Sequence, residues 1–244
     1  MKKTNRIHHP KLFLSQPGLL FGFSTRTWGS MSPRQGNGDA KKVFLEELGL
    51  TQERLTLMNQ VHGDHVFEVT QGKKNLFVQG TDGLVTQEKD CILGVRVADC
   101  VPLFFYDPDK KVIGVAHAGW RGTHLRLAQQ VIKKMKLLGA SEEKLLVFIG
   151  PHIGPCCYDI PKERETLFRQ EFGPDTRIFQ KREGKTFLDL GYLNLLQCEE
   201  MSINPAHIEV SPLCTSCEKE LFFSYRRDTK EMFGEMMGIL CRTL

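Results

Sequence analysis

Between Leu55 and His117 short apolar runs follow one another with only turn formers between them: LTLMNQ, HVFEVT, DGLVT, CILGVRV, PLFFYD and KVIGVAH. Runs of this length, rich in β-branched and aromatic residues and punctuated by Gly72, Gly80 and the pair Pro108 and Asp109, predict strands. None is long enough for an ordinary helix, so the middle of the chain must be mostly sheet. LLFGFS before this block, LLVFIG and HIEVS after it, and the terminal MMGILCRTL extend the pattern, the last read as a core strand.

Helical signals surround the strands. AKKVFLEELGL places Val43, Phe44 and Leu48 on one face and closes on Gly49. After Gly122, the residues Ala128, Val131, Ile132, Met135 and Leu138 recur at helical spacing, and Gly139 supplies the stop. KERETLFRQEF predicts a polar helix and LGYLNLLQCEEM a more amphipathic one. TRTWG predicts a loop after the first strand, and SMSPRQGNGD, dense in Ser, Pro, Gly and Asn, a flexible one. No repeat or composition break divides the chain, so residues 1–244 are expected to form one domain of mixed α and β structure.

A chain of 244 residues with 41% hydrophobic residues can bury a core without staples. The formal charge of +4 is dispersed, and the lysines at 133, 134 and 136 suit the end of a helix. No basic and aromatic stripe marks a nucleic-acid surface. The N-terminal MKKTNRIHHPKLFLSQPG has no apolar run long enough for a signal peptide, and no stretch approaches a membrane span. The expectation is a cytoplasmic protein. In that compartment the eight cysteines are read as buried, metal-binding or reactive thiols in preference to disulfides.

Chemistry concentrates in three segments that each put a metal-ligand type at the end of an apolar run: His62 in NQVHGDHV, Cys100 in RVADCVP and His117 in GVAHAGW. Alone, each has an ordinary reading as a hydrogen-bonded histidine or a buried thiol. Together, two imidazoles and a thiolate match the three-ligand pattern of catalytic zinc, which leaves a fourth position for water or substrate. Glycines near both histidines permit close backbone approach, and Asp99 and Arg121 bring charge that a plain core would not hold. Arg26 and Trp28 of TRTWG suit either a ligand, anion and ring, or a solvated arginine beside a packed tryptophan. Cys214 and Cys217 of CTSC have the spacing of half a structural zinc site. The adjacent Cys156 and Cys157 have the wrong spacing for the other half, so buried thiols or a loop clasp is the plainer expectation. Arg226 and Arg227 fit an anion or an internal salt bridge. No glycine-rich nucleotide fingerprint or phosphate loop is present.

The ordered motifs NQVHG, GTDGLVT, VADCVPLFFYDP, GVAHAGWRGT, IGPHIGPCCYDI and CTSCEKELFFSYRRD resemble the YfiH family, labelled laccase-domain or polyphenol oxidase proteins and also purine nucleoside phosphorylases or peptidoglycan editing factors. The resemblance runs from about Gly22 to the C-terminus. It implies an α+β fold, a single-domain α/β/β/α sandwich with mixed sheets, and metal ligation by His62, Cys100 and His117. It implies phosphorolysis of adenosine, inosine, guanosine and methylthioadenosine together with adenosine deamination. Zinc is the expected cofactor, with copper the less favoured one, since multi-copper phenol oxidation asks for more histidines than these segments offer. Asp99 is the candidate acid or orienting group, and Arg26, Gln60 and Arg121 are the residues expected to hold substrate and phosphate. The partners expected are small molecules, nucleoside and phosphate, with no nucleic acid and no membrane, acted on by a monomer or weak homo-oligomer. The segment STRTWGSMSPRQGNGDA is shorter than the family's usual loop there, which is expected to help close the pocket.

Two other classes fit some of the same residues. One is a metal-free cysteine hydrolase, with Cys100 as nucleophile and His117 as base, including a form that edits a peptidoglycan precursor. The other is a catalytically silent binding module.

Overall fold

Along Val101–Asp107, Leu103 and Phe105 enter one hydrophobic cluster while Phe104 and Tyr106 enter another. A strand whose two faces are both buried needs no polar alternation, which is why PLFFYD is apolar throughout. The same holds for Met236–Arg242, where Met236 and Leu240 face one cluster and Met237, Ile239 and Cys241 a third. These three clusters are the three interiors of a four-layer α/β/β/α sandwich.

The computed structural model describes residues 10–33, 39–70, 76–228 and 234–243. The strands are β1 (Leu19–Phe23), β2 (Leu55–Met58), β3 (Val66–Glu68), β4 (Phe77–Val78), β5 (Gly83–Thr86), β6 (Ile92–Val97), β7 (Val101–Asp107), β8 (Val112–Ala118), β9 (Leu146–Ile149), β10 (Asp159–Ile160), β11 (Phe179–Arg182), β12 (Lys185–Leu188), β13 (Ile208–Val210) and β14 (Met236–Arg242). The helices are α1 (Lys11–Leu14), α2 (Asp39–Glu47), α3 (Trp120–His124), α4 (Leu127–Leu137), α5 (Lys162–Phe172) and α6 (Leu190–Glu200). One sheet runs β1-β14-β6-β2-β4 and the other β13-β9-β7-β8-β5-β3, both with parallel and antiparallel pairs. A small third sheet is ordered β10-β12-β11.

The two large sheets pack face to face through β6, β14, β7 and β8. Their shared interior holds Phe21, Phe23, Phe104, Phe148, Met236 and Leu240, among others. Fully burying one such side chain contributes about 1.5–3 kcal/mol. A side chain at Gly238 would sit 2.3 Å from the Phe104 ring, so the sheets close only because that position is bare. The α2 helix covers the outer face of one sheet, with Phe44 and Leu45 against Ile92 and Ile239. On the outer face of the other sheet α4, α5 and α6 bury Val131, Phe168 and Leu193.

Most predicted elements fall where the periodicity put them, including α5 and the terminal strand. Gly49 and Gly139 adopt φ of 70° and 88° just past their helices, as stop signals require. The stretch after His117 differs. A short helix begins at Trp120 and already contains Gly122, and Arg126, at φ 61°, separates it from α4. β4 and the small third sheet were not anticipated, because their pieces are two to four residues long and mostly polar. The turn expected at Gly72 and residues 34–38 of the expected loop lie outside the described residues. No helix among the described residues is long and apolar enough to cross a membrane.

Candidate metal centre

The register of the β7–β8 hairpin builds most of the site. These strands are antiparallel, with Val101 opposite Ala118 and Pro102 opposite His117. Cys100, one residue before β7, therefore lands beside His117 at the far end of β8. β5 flanks β8 on its other side, with Gly83 opposite Ala116, which brings Asp82 next to His117. The ladder continues through His117 N–H, which donates to the Asp82 carbonyl at 2.8 Å.

His62 arrives from the loop after β2, a strand of the other sheet. Here Asp82 is the organiser. Its carboxylate, fully buried, accepts from the backbone N–H groups of Val61 (3.0 Å), His62 (3.0 Å) and Gly63 (2.8 Å) and from His117 Nδ1 (2.8 Å). Three backbone donors on one carboxylate hold a tight loop in which His62 takes φ 62°. The ring centroids of His62 and His117 end 4.8 Å apart at an interplanar angle of 79°.

One ligand-type atom from each of His62, Cys100 and His117 lies within 4.8 Å of the others. Because Asp82 occupies His117 Nδ1, the Nε2 atom is the one free to ligate, the usual arrangement in which a carboxylate fixes the tautomer of a metal-binding histidine. Burial raises the Cys100 thiol, but the charge and hydrogen bond of His117, helped by His62, outweigh it and hold the pKa at about 6. Burial lowers His117, yet Cys100 and Asp82 together lift it to about 9. A thiol this acidic between two imidazoles is a donor set that fits a borderline-soft divalent ion. Gly119 closes the floor. A Cβ there would lie 2.9 Å from Cys100 Sγ and 3.0 Å from His62 Cδ2.

The other expected site residues are placed differently. Asp99 is nearly buried, its carboxylate accepting from Thr215 Oγ1 at 2.6 Å and from Arg226 N–H at 2.8 Å, and its carbonyl accepting from Ile153 N–H. It ties three segments together. The Gln60 amide pairs at both ends with the backbone of Arg96 (2.8 and 2.9 Å), extending the β2–β6 pairing past the strand. Arg26 donates to the Lys219 carbonyl and lies over the Phe223 ring. Trp28 is buried against Phe44, which decides for packing over ligand contact. Arg227 pairs with Asp228 and donates to the Thr215, Ser216 and Phe222 carbonyls. Arg226 pairs with Asp159, so both arginines serve internal contacts.

Arg121 is exposed and makes no ion pair among the described residues, its guanidinium lying 4.7 Å from the Trp120 ring centroid. Arg164 lies over the same ring at 4.2 Å and donates to Tyr158 Oη at 3.2 Å. Burial raises Tyr158, Arg164 lowers it, and the nearby Cys100 charge raises it further, so this phenol keeps its proton at neutral pH. Asp82, Tyr158 and Arg164 are the residues that sequence reasoning missed. For Asp82 a signal existed, a single carboxylate in GTDG immediately before a wholly buried strand.

Cys156, Cys157, Cys214 and Cys217 also converge, their sulfurs all within 4.8 Å of one another, although the spacing of the first pair spoke against it. Of the expectation of buried thiols or a loop clasp for the CTSC pair, burial holds for Cys214 and not for Cys217, which is exposed like Cys156.

The family model for multi-copper polyphenol oxidoreductase laccase matches residues 22–243. Purine nucleoside phosphorylase YlmD of Geobacillus stearothermophilus is 35% identical over 214 residues, spanning 83% of this chain and 77% of that protein. Adenosine deaminase RL5, from an unknown prokaryotic organism, is 30% identical over 198 residues, 78% of this chain and 76% of that one. The crystal structure of YlmD from G. stearothermophilus superposes with a TM-score of 0.88 at 29% identity, covering 100% of this chain and 98% of the other. With the motif order, the four-layer sandwich and these relatives in agreement, the chain belongs to the laccase-like YfiH family.

Proposed function

We propose that this chain is a zinc-dependent purine nucleoside enzyme of the cytoplasm, phosphorolysing adenosine, inosine, guanosine and methylthioadenosine and deaminating adenosine. The observation that carries this reading is the convergence of His62, Cys100 and His117 around a carboxylate, Asp82, that orients two of them. It is supported by relatives named purine nucleoside phosphorylase and adenosine deaminase. Substrates are small and freely diffusing, and the enzyme works as a monomer or weak homo-oligomer.

His62, Cys100 and His117 hold the ion, and the chemistry that zinc supplies in such a site is Lewis acidity strong enough to bring the pKa of water to about 7. The protein does the rest by position. Asp82 locks His117 in one tautomer and fixes the backbone of the His62 loop, so the His117 ring is held in place during turnover. Arg121, stacked on Trp120 with no carboxylate paired to it among the described residues, offers a fork to phosphate. Tyr158, protonated and within the field of Cys100, presents an O–H to a group that gains charge on leaving. Asp99 acts as a positioning residue, because both its oxygens already accept hydrogen bonds.

Metal analysis of the purified protein combined with a nucleoside panel, run with and without phosphate, tests the proposal. Zinc should be present, with ribose 1-phosphate released only when phosphate is added and ammonia released from adenosine in either case. Cys100→Ala and His117→Ala should each abolish both activities, and turnover surviving in either variant overturns the assignment. Two imidazoles and a thiolate also suit copper, so the metal analysis decides between the two ions.

A second reading rests on the acidity of Cys100 at about 6 beside His117 at about 9, a thiolate and imidazolium pair backed by Asp82. Such a pair would suit a metal-free cysteine hydrolase, including one acting on a peptidoglycan precursor. Chelators would leave such an enzyme active and iodoacetamide would stop it.

A further inference from the structure

Two loops meet beside the candidate metal centre, and each brings a pair of cysteines. The first runs from Gly150 to Tyr158. Its Cys157 and Tyr158 N–H groups both donate to the Gly154 carbonyl, so Cys156 and Cys157 lie in a helical turn. Successive side chains in such a turn diverge by about 100° and not the 180° of a strand. This is how two adjacent cysteines come to face one partner, and why their sequence spacing misleads. The second loop carries CTSC, whose Cys214 bridges His152 in parallel while Thr215 N–H donates to the His152 carbonyl at 2.9 Å.

The sulfurs of Cys156 and Cys157 lie 3.5 and 3.4 Å from that of Cys217. Four thiolates around one tetrahedral zinc at about 2.3 Å from it sit about 3.8 Å from one another, so these separations need only small side-chain adjustment. They are far from the bonded separation of about 2.05 Å in a disulfide. Backbone dipoles also point at the cluster. The N–H of Gly154 donates to Cys214 Sγ at 3.3 Å. An N–H directed at a sulfur in this way favours a thiolate, the form a metal binds.

We propose that Cys156, Cys157, Cys214 and Cys217 form a second metal site, a closed structural zinc centre of four thiolates that clamps these two loops together. Its four protein ligands leave no open position, in contrast to the three-ligand centre at His62, Cys100 and His117. The clamp has a local effect. Ile153 of the first loop and Thr215 of the second both bond to Asp99, the residue before Cys100. Arg226, which donates its N–H to Asp99, also reaches the Cys157 carbonyl at 3.1 Å. Holding the four sulfurs on one ion therefore fixes the wall next to Cys100.

The test is zinc stoichiometry of the full chain purified under reducing conditions without chelator, read by elemental analysis and by zinc X-ray absorption. The wild type should carry two zinc ions per chain. Cys217→Ser and Cys157→Ser should each lose one and keep the other, whereas His117→Ala should keep a zinc whose ligands are sulfur alone at about 2.3 Å. If the cysteine variants fail to fold, the wild-type spectrum decides. Two sites make sulfur outnumber nitrogen among the zinc ligands, and the three-ligand site alone gives the reverse. One zinc per chain with nitrogen in excess overturns the proposal, as does a disulfide among these cysteines in the reduced preparation. Loss of zinc from the histidine site with the sulfur site intact would instead count against the proposed function, so the two failures are distinguishable.

Discussion

Asp82 Oδ1 lies 2.8 Å from His117 Nδ1 and 3.0 Å from the His62 backbone nitrogen, so one buried carboxylate oxygen serves both histidines of the candidate centre. Burial raises the pKa of Asp82, but the hydrogen bond from His117 and those from the Gly63 and Val61 N–H groups outweigh it, so the group is ionised. A carboxylate with this many committed donors has no isostere that accepts at both oxygens.

Asp82→Asn tests that role. The amide nitrogen would turn a donor towards donors, at a cost of about 1–3 kcal/mol for each buried N–H left unpaired. Metal affinity should fall by about 10–100-fold, the usual loss when the group behind a ligating histidine is removed. Denaturant unfolding and zinc titration measure the two effects separately.

Gly119→Ala isolates the ligand geometry from backbone strain. Gly119 has φ −67°, which alanine adopts freely, but the added methyl would meet Cys100 Sγ at 2.9 Å and His62 Cδ2 at 3.0 Å. Overpacking of this kind costs about 1–3 kcal/mol. The variant should fold, and its loss should appear in metal affinity and turnover more than in melting temperature.

Arg121→Ala should separate the two proposed reactions. Arg121 is exposed, stacks on Trp120 and makes no ion pair among the described residues, so little stability should be lost. Removing the phosphate fork should lower kcat/KM for phosphate by about tenfold or more, the scale of one charge-assisted contact. Adenosine deamination, which uses no phosphate, should be unchanged. Equal losses in both assays would show that the arginine does not act on phosphate.

Asp228→Asn addresses acid stability. Burial raises Asp228, but the paired Arg227 guanidinium and the Ser224 N–H outweigh it and lower its pKa. A carboxylate depressed in the folded state contributes stability above its unfolded pKa, about 3.9, and loses it as pH falls through the lower folded value. The wild type should therefore lose stability below about pH 4 more steeply than the variant. Chemical denaturation across that range reads the difference in slope.

Local pattern determined a large part of this molecule. Apolar runs bounded by turn formers became β2, β5, β6, β7, β8 and β14, and helical spacing with a glycine stop became α2 and α4. Both signals depend on residues a few positions apart, where backbone geometry alone relates side chain to side chain. His62, Cys100 and His117 were legible as a candidate ligand set for the same reason, since each stands at the end of such a run, and the structure brings them together.

Tertiary structure decided what depends on strand order. The placement of β8 between β7 and β5 brings Cys100 and Asp82 to opposite sides of His117, and no local pattern encodes that neighbourhood. It turned Gln60 towards the Arg96 backbone just past the end of β2 and Arg26 towards the Lys219 carbonyl in a turn, because unpaired backbone groups capture the nearest side chain. It also gathered Cys156 and Cys157 with Cys214 and Cys217 across about sixty residues of chain, where spacing within one segment carries no information about the distance between two.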